Sequence, residues 1–490
     1  MRLGPAGAAG APMLGNLAIV GVLIAAAYLL SQGLTRVSFN YTLGALAAFT
    51  LFGLVFLRND FGIYVVTFSM LLSPEFAAGG AGIAEGRRIM VRSEDFILIV
   101  IGLAWLAKTA VNKELGLVAK TPLNRPILAY ILANLLATLL GYLWGSVAGT
   151  SGFFYVLKYV EYFVVYYMIV NNVQDRAHAR RLVIAAFLTA AIVSVVGIAQ
   201  IPAGDRVSAP FEGEIGEPNT FGGYLLFMMA IAGGIALETR RLRLRVASLG
   251  LVGLMGLPFT FTLSRASYVG VVPVLLVLAW FTRQRRLMVG VVLLLAVSSP
   301  ILALTLPSSV TKRVLYTFEP EAGQDTVRVG RIAFDPSTSA RLISFQGAIE
   351  GWLRRPMSVV FGYGVTGFGF MDAQYARVLV ETGAVGFAAF AWLVWTVLRS
   401  SASAYRTLTA PEDRGIALGF MAGTIGLLAH AIGSNTFIIV RIMEPFWFFA
   451  GVVLMLPQLE RGEPAPPAAP PAVTPARLYP AQGLPIRFGR

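Results

Sequence analysis

The stretch FTLSRASYVG, Phe261 to Gly270, decides how this chain is read. Arg265 stands in the middle of an apolar run from Val246 to Thr282 that holds no other charged residue. A charge at the centre of a bilayer costs several kcal/mol on any scale. The run is flanked by Arg240, Arg241, Arg243 and Arg245 on one side and by Arg283, Arg285 and Arg286 on the other. Arginine-rich short loops mark the cytoplasmic side of a membrane protein. With both flanks on one side, and a run about twice the length of one span, the segment reads as a hairpin of two helices. Arg265 then sits at its outer turn rather than in lipid, where it calls for a partner.

The composition agrees. The 490 residues are 57% hydrophobic and 13% charged, whereas soluble domains carry about 25% charged residues. Continuous apolar runs recur along the chain, so helices rather than a barrel are implied. The expected fold is an all-α polytopic integral membrane protein of about 12–14 transmembrane helices with one large, partly helical periplasmic loop. The runs fall near 14–32, 41–57, 61–74, 94–109, 124–143, 153–170, 180–201, 219–238, 246–263, 267–282, 287–306, 373–398, 415–434 and 442–457. The run at 61–74 is short enough to be a broken or tilted helix, and the first run reads as an uncleaved span. Both termini are expected in the cytoplasm. This divides the chain into membrane helices over 1–306, the large loop over 307–371, C-terminal membrane helices over 372–459 and a Pro/Ala-rich, disordered tail over 460–490.

Several chemistries are excluded. There is no cysteine, so thiol catalysis, disulfides and Cys-based metal sites are absent, and two histidines, His178 and His430, cannot build a His-rich metal cluster. The net charge of +14 follows the positive-inside pattern and does not point to nucleic acid. The GYGVTGFG segment lacks the Lys-Ser/Thr of a nucleotide loop.

The loop from Pro307 to Met371 is the informative region. Ser337 to Leu353 has helical spacing, with Leu342, Phe345, Ile349 and Trp352 on one stripe. FGYGVTGFGF follows, where glycine allows close approach of a ligand or another backbone. Arg265, Arg341, Arg377 and Arg441 all fall near outer membrane edges. Guanidinium suits bidentate capture of phosphate, so their convergence would serve a pyrophosphate whose lipid tail lies in the bilayer. Snorkelling to headgroups or pairing with Glu217, Asp335 or Glu381 is the plain alternative. Asp372 reads as an N-cap or an acid/base group. Glu381, nine residues on and about 14 Å down a helix, lies on one face with Arg377 and either pairs with it or faces a cavity. Asn219 of the GEPN motif caps a span or orients a sugar, and His430 reads as a hydrogen-bonded interhelical histidine.

FTLSRASYVGVV, the long loop, SARLISFQGAIEGWLRRPMSVVFGYGVTGF, MDAQYARVLVETGAVGF and the upstream GEPNTFGGYL together resemble the O-antigen ligase and polymerase superfamily of bacterial envelope enzymes. The resemblance runs from Gly216 to Arg399. It implies a metal-independent, cofactor-free glycosyltransferase of the bacterial inner membrane, with its site facing the periplasm. The implied donor is an undecaprenyl-pyrophosphate-linked oligosaccharide, and a chain-length regulator protein is a partner the family allows. The family's hairpin arginine falls on Arg265 and its loop-helix arginine on Arg341. The position where ligases carry His-Asn falls on Asp372-Ala373, a departure that is closer to the O-antigen and exopolysaccharide polymerase branch and leaves the general base open. The expected catalytic residues are therefore Asp372, Arg265 and Arg341, with Asn219, Glu217, Tyr375, Arg377, Glu381 and Arg441 binding substrate. Transfer to lipid A core or protein, and non-enzymatic transport of a lipid-linked glycan, remain as alternatives. No internal repeat of the kind transporters carry stands out in the sequence.

Overall fold

The computed structural model describes residues 39–77, 90–111, 119–211, 216–285, 290, 327–329, 332–333, 336–369 and 371–462. Among them the chain is predominantly helical, with two short antiparallel strand pairs. The helices are α1 Phe39–Leu57, α2 Asn59–Leu72, α3 Ser93–Val111, α4 Asn124–Leu143, α5 Ser151–Asn172, α6 Arg176–Gln200 and α7 Pro218–Glu238. Next come α8 Leu242–Phe261, α9 Arg265–Phe281, α10 Pro336–Leu353, α11 Pro356–Phe361, α12 Gln374–Thr407, α13 Pro411–His430 and α14 Val440–Arg461. Strands β1 Glu75–Ala77 and β2 Met90–Arg92 pair between α2 and α3, and β3 Arg328–Val329 and β4 Ile332–Ala333 pair ahead of α10.

Helix is the form in which an apolar segment satisfies its own backbone in hydrocarbon. Each apolar run that falls on described residues is a helix within a few positions of its expected ends, except that α12 runs on from the expected 398 to Thr407. The runs at 14–32 and 287–306, and the tail beyond 462, lie outside the described residues, apart from residue 290. Seven helices are long and apolar enough to cross a membrane: α4, α5, α6 with its 3-10 extension, α7, α8, α12 and α14. The α1, α2 and α9 segments are apolar but shorter, while α3 and α13 begin with charged turns. The run at 61–74 is one unbroken helix of 14 residues. The run around Arg265 is two helices, α8 and α9, joined by the short turn at Thr262–Ser264, and both pack against α7.

Burial separates the centre from the rim. In α7, 89% of the apolar window is buried, and in α14, 83%, against 22% in α8. The outward faces of α4, α6 and α8 expose Leu132, Leu136, Ile184, Leu188, Leu249 and Leu257, as a lipid-facing surface does. The centre is held by contact of α7 with α13. A Cβ built on Gly419 would lie 2.4 Å from the Ile231 Cα, and one on Gly234 would lie 2.4 Å from the Gly415 carbonyl oxygen. These backbones meet with no room for a side chain, the small-residue packing that joins helices where lipid offers no hydrophobic drive. Aromatic rings fill the other interior seam: Trp447 of α14 meets Phe163 edge-on at 4.7 Å between centroids and stacks on Tyr162.

Arg176, Arg180, Arg241 and Arg414 form ion pairs at one end of the bundle. Glu238, fully buried at the end of α7, accepts from Arg414 Nε at 2.7 Å, from the Arg283 backbone N–H at 3.0 Å and from Thr282 Oγ1 at 3.1 Å. Asp413 accepts from both Arg176 and Arg180. These contacts tie α6, α7, α9 and α13 at that end.

Helix α12 is broken. Gly383 has φ 66° and ψ −168°, and a Cβ there would lie 2.3 Å from the Val360 carbonyl oxygen. Glycine is needed both for the left-handed φ and for the backbone that lies against it. Residues 374–382 therefore form a separate short segment. The break lies beyond Glu381, which stays on the helical segment that starts at Gln374, and the single span expected over 373–398 is divided at Gly383.

Replacing Gly419 with leucine forces α7 and α13 apart. A loss of at least ~1–3 kcal/mol, the usual overpacking cost, is expected as a lowered melting temperature of the detergent-solubilised protein. Gly250→Leu on α8, where nothing lies within 4 Å of a Cβ, should leave the melt unchanged.

Candidate functional site

At the end opposite the Glu238 ion pairs, α9 starts with Ser264 as its N-cap, whose Oγ accepts from the Ser267 backbone N–H at 3.3 Å. Arg265 is the first helical residue and is half-buried. The preceding Leu263 has φ 49°. Arg206 from the segment after α6 donates to the carbonyls of Thr262 at 3.0 Å and Leu263 at 3.4 Å. A second arginine, which the sequence pattern did not single out, thus clamps the hairpin turn.

The turn after α13 is the common neighbour of the site's parts. A Cβ on Gly433 would lie 3.4 Å from that of Ala266, next to Arg265, and one on Gly223 of α7 would lie 3.2–3.3 Å from the edge of the His430 ring. His430 Nδ1 is paired with Thr436 Oγ1 at 2.7 Å, so its hydrogen bond is made within its own turn. The strand of chain entering α12 is laced to the same turn. The Gln374 N–H donates to the Ala431 carbonyl at 3.3 Å, Asn435 Nδ2 donates to the Met371 carbonyl at 2.5 Å, and Gln374 Oε1 accepts from the Phe437 N–H at 3.0 Å. Tyr375 donates its hydroxyl to the Leu428 carbonyl at 2.6 Å.

Asp372 lies within this laced segment. It does not cap α12, whose N-cap is Ala373 without a side-chain bond. Its Oδ2 instead accepts from Arg341 Nη2 at 2.9 Å and Nε at 3.3 Å, with side chains 24% and 33% exposed for Arg341 and Asp372. Both members of the pair are reachable from outside. Asn219 is not the cap of α7 either: Glu217 takes the N-cap position, and its carboxylate accepts from Thr220 Oγ1 at 2.8 Å, leaving Asn219 half-buried in the first turn.

Two expected substrate-binding arginines are placed elsewhere. Arg377 and Glu381 form an intrahelical pair, Nε to Oε1 at 3.1 Å, with side chains 4% and 5% exposed. Glu381 Oε1 also accepts from the Thr366 N–H at 3.0 Å, and its carbonyl from the Gly364 N–H at 2.8 Å. The pair holds the glycine-aromatic segment against α12, and the Val365 N–H reaches Thr138 of α4 at 3.3 Å. That segment lies close to other backbone. Arg441 is fully buried, and its guanidinium donates to the carbonyls of Pro210 at 2.7 Å, Ser73 at 3.2 Å and Phe211 at 3.3 Å. It ties loops together inside the bundle. Glu212, Glu214 and Asp335 lie outside the described residues.

The loop helix is present as α10, but of its expected stripe only Trp352 is half-buried and packed toward the bundle. Leu342, Phe345 and Ile349 are exposed among the described residues, and the helix touches the bundle through buried Ala348, packed with Met371, Ala373, Ala376 and Val380. The apolar face next to Arg341 is open. No group of three or more His, Asp or Glu residues among the described residues is arranged to hold a metal ion.

Comparison with family models and with curated proteins finds no match to this chain. The structure defines a polytopic helical membrane protein with an arginine–carboxylate pair exposed at one end.

Glu381→Gln leaves Arg377 buried without its counter-charge. Stability should fall by about 3–5 kcal/mol, the cost of breaking a buried ion pair from one side. The double change Arg377→Met with Glu381→Leu should recover much of the loss in the same thermal melt.

Proposed function

We propose that this chain is a polymerase of lipid-linked oligosaccharide repeat units, a metal-independent glycosyltransferase working at the periplasmic face of a bacterial inner membrane. The observation that supports the reading is that the elements carrying Arg265 and the Arg341–Asp372 pair adjoin the same turn after α13, through Ala266 beside Gly433 and Gln374 bonded to Ala431. Both arginines are those on which the O-antigen ligase and polymerase resemblance falls.

In this reading a polyprenyl-pyrophosphate glycan enters from the bilayer. The exposed apolar face of α10, beside Arg341, suits a lipid tail. Arg265 and Arg341 hold the pyrophosphate and stabilise the charge that grows as it leaves. The resting pair has a consequence for Asp372. The Arg341 guanidinium occupies Asp372 Oδ2, an oxygen that would otherwise be open to the attacking hydroxyl. A pyrophosphate carries more negative charge and competes for Arg341. Binding of donor then frees Asp372 to accept the proton of the attacking hydroxyl. The hydroxyl oxygen bonds to the anomeric carbon as the bond to the pyrophosphate oxygen breaks, and the lipid pyrophosphate departs with that electron pair. Asn219, Glu217 and Tyr375 border the site and order its backbone.

The test is a reconstituted assay with a polyprenyl-pyrophosphate glycan in EDTA. Products lengthened by whole repeat units are expected from wild type. Arg265→Ala should lose about 10²–10³-fold in rate, as removal of a charge-stabilising donor does. Asp372→Asn should lose about 10²–10⁴-fold. Retained activity in Asp372→Asn would reduce Asp372 to a partner that positions Arg341. Glycan found on lipid A core or protein would make the chain a ligase. Donor that crosses leaflets without being consumed would make it a transporter.

A further inference from the structure

The densest buried charge lies away from this site, among α3, α5 and α14. Glu94 of α3 is fully buried; Ser73 Oγ donates to its Oε2 at 2.6 Å and Arg92 Nη1 to its Oε1 at 3.2 Å. Asp95, the next residue, accepts from the Arg92 backbone N–H at 3.0 Å and from Lys158 of α5. Lys158 also pairs with Glu161 Oε2 at 3.0 Å. Glu444 on α14, with 0% exposure, lies within electrostatic reach of Glu94, Glu161, Arg92 and Lys158. Neither of its carboxylate oxygens has a hydrogen-bond partner among the described residues, nor does Glu161 Oε1.

Charge balance in this interior is incomplete. Among the described residues the carboxylates are Glu94, Asp95, Glu161 and Glu444, four in all, and the cations are Arg92, Lys158 and Arg441, three in all. Arg441, one turn before Glu444, directs its guanidinium to backbone carbonyls. Among these residues one negative charge is left over, and it falls on Glu444, which has both carboxylate oxygens unpartnered whereas Glu161 keeps Lys158 on one of its two. The other charged pair near α5, Arg377 with Glu381 on α12, is closed on itself and turned toward Tyr155. An ionised carboxylate with no donor is untenable in an apolar interior, and such a group takes up a neutralising ion. A metal cation is disfavoured because these carboxylates do not converge as a ligand set. A proton needs no such set.

We propose that Glu444 is a proton-binding site, holding one exchangeable proton that neutralises the cluster at neutral pH. The site is independent of the glycosyl-transfer reading. Its place in the fold gives it a mechanical reach. Arg441 joins the end of α2 at Ser73 to the Pro210–Phe211 segment that leads toward the first turn of α7. Loss of the proton sets a bare negative charge one turn from that guanidinium and draws it off the carbonyls. Proton occupancy and the order of this loop junction are thereby coupled.

Infrared spectroscopy of the full chain in lipid nanodiscs reads the proton directly. Wild type at neutral pH should show the C=O stretch of a protonated carboxyl that shifts in D₂O. Glu444→Gln, which mimics the neutral acid, should lose that band and keep its melting temperature, while Glu350→Gln on exposed α10 keeps the band. If Glu444→Gln fails to fold, Glu444→Asp supplies the same assignment through a displaced band. Absence of the band at neutral pH overturns the proposal, as does a band untouched by both Glu444 variants or one that does not shift in D₂O. Sodium-dependent thermal stabilisation confined to wild type would replace the proton by a monovalent cation.

Discussion

The close approach of α7 and α13 is the constraint on which the rest of the molecule depends. Gly234, Gly415 and Gly419 bring the two backbones together without intervening side chains. Two rigid helices in such contact have little freedom to slide, so fixing one end fixes the other. At one end the contact sets Glu238 against Arg414, where Tyr405, Thr282 and the Arg283 N–H gather. At the other it sets Gly223 against His430, from which the turn carrying Asn435 and Thr436 emerges. The candidate site is built on that turn, so its geometry derives from glycines more than one helix turn away.

Charge in an apolar bundle has to be answered locally, and this chain answers it in different ways. Glu238 and Arg414 pair across helices, and Arg377 and Glu381 pair within one. Arg441 is caged by carbonyls. Lys158 is shared between Asp95 and Glu161. Each of these has its guanidinium, ammonium or carboxylate closed off from outside. Arg341 with Asp372 differs, because a quarter to a third of each side chain is exposed. An exposed pair contributes little to stability, about 0–1 kcal/mol. It can therefore exchange partners for an incoming anion at little cost to the fold, which none of the buried pairs can do.

How much of this was legible in the sequence follows from what a one-dimensional pattern encodes. Apolar run length gives span position, so the helices at 124–143 and 218–238 were readable nearly to the residue, and the one at 242–261 with the turn before Arg265 to within four. Helical spacing found α10, beginning at Pro336 where Ser337 was expected. Spacing does not say which way a face turns, and the Leu342–Phe345–Ile349 stripe, read as an amphipathic helix face, is outward. Nor does it give azimuth about a helix. Arg377 and Arg441 share the depth of Arg265 but point inward, where partners from remote segments receive them. The Glu94–Lys158–Glu444 interior was not recognised, because each member begins or interrupts an apolar run singly and the neighbours come from three helices. The GIALGFMAG spacing of Gly415, Gly419 and Gly423 was a signal for the central contact that a hydropathy reading passes over.

The unequal anchoring of the two members of the exposed pair decides which one a substrate would move. Asp372 lies between Met371, Ala373 and Gln374, all buried, and the segment is held by Asn435, Ala431 and Phe437. Its backbone is fixed to the same turn that contacts α7 and α9. Arg341 is carried on α10, whose buried contacts with the bundle centre on Ala348 and whose neighbouring apolar residues are exposed. The less restrained partner is the arginine. A donor pyrophosphate that captures Arg341 would draw the arginine and its helix toward itself while the carboxylate stays where the bundle has placed it. In the proposed reaction that division suits the chemistry: the group that receives the proton keeps its alignment, and the group that follows the leaving charge is the one free to move.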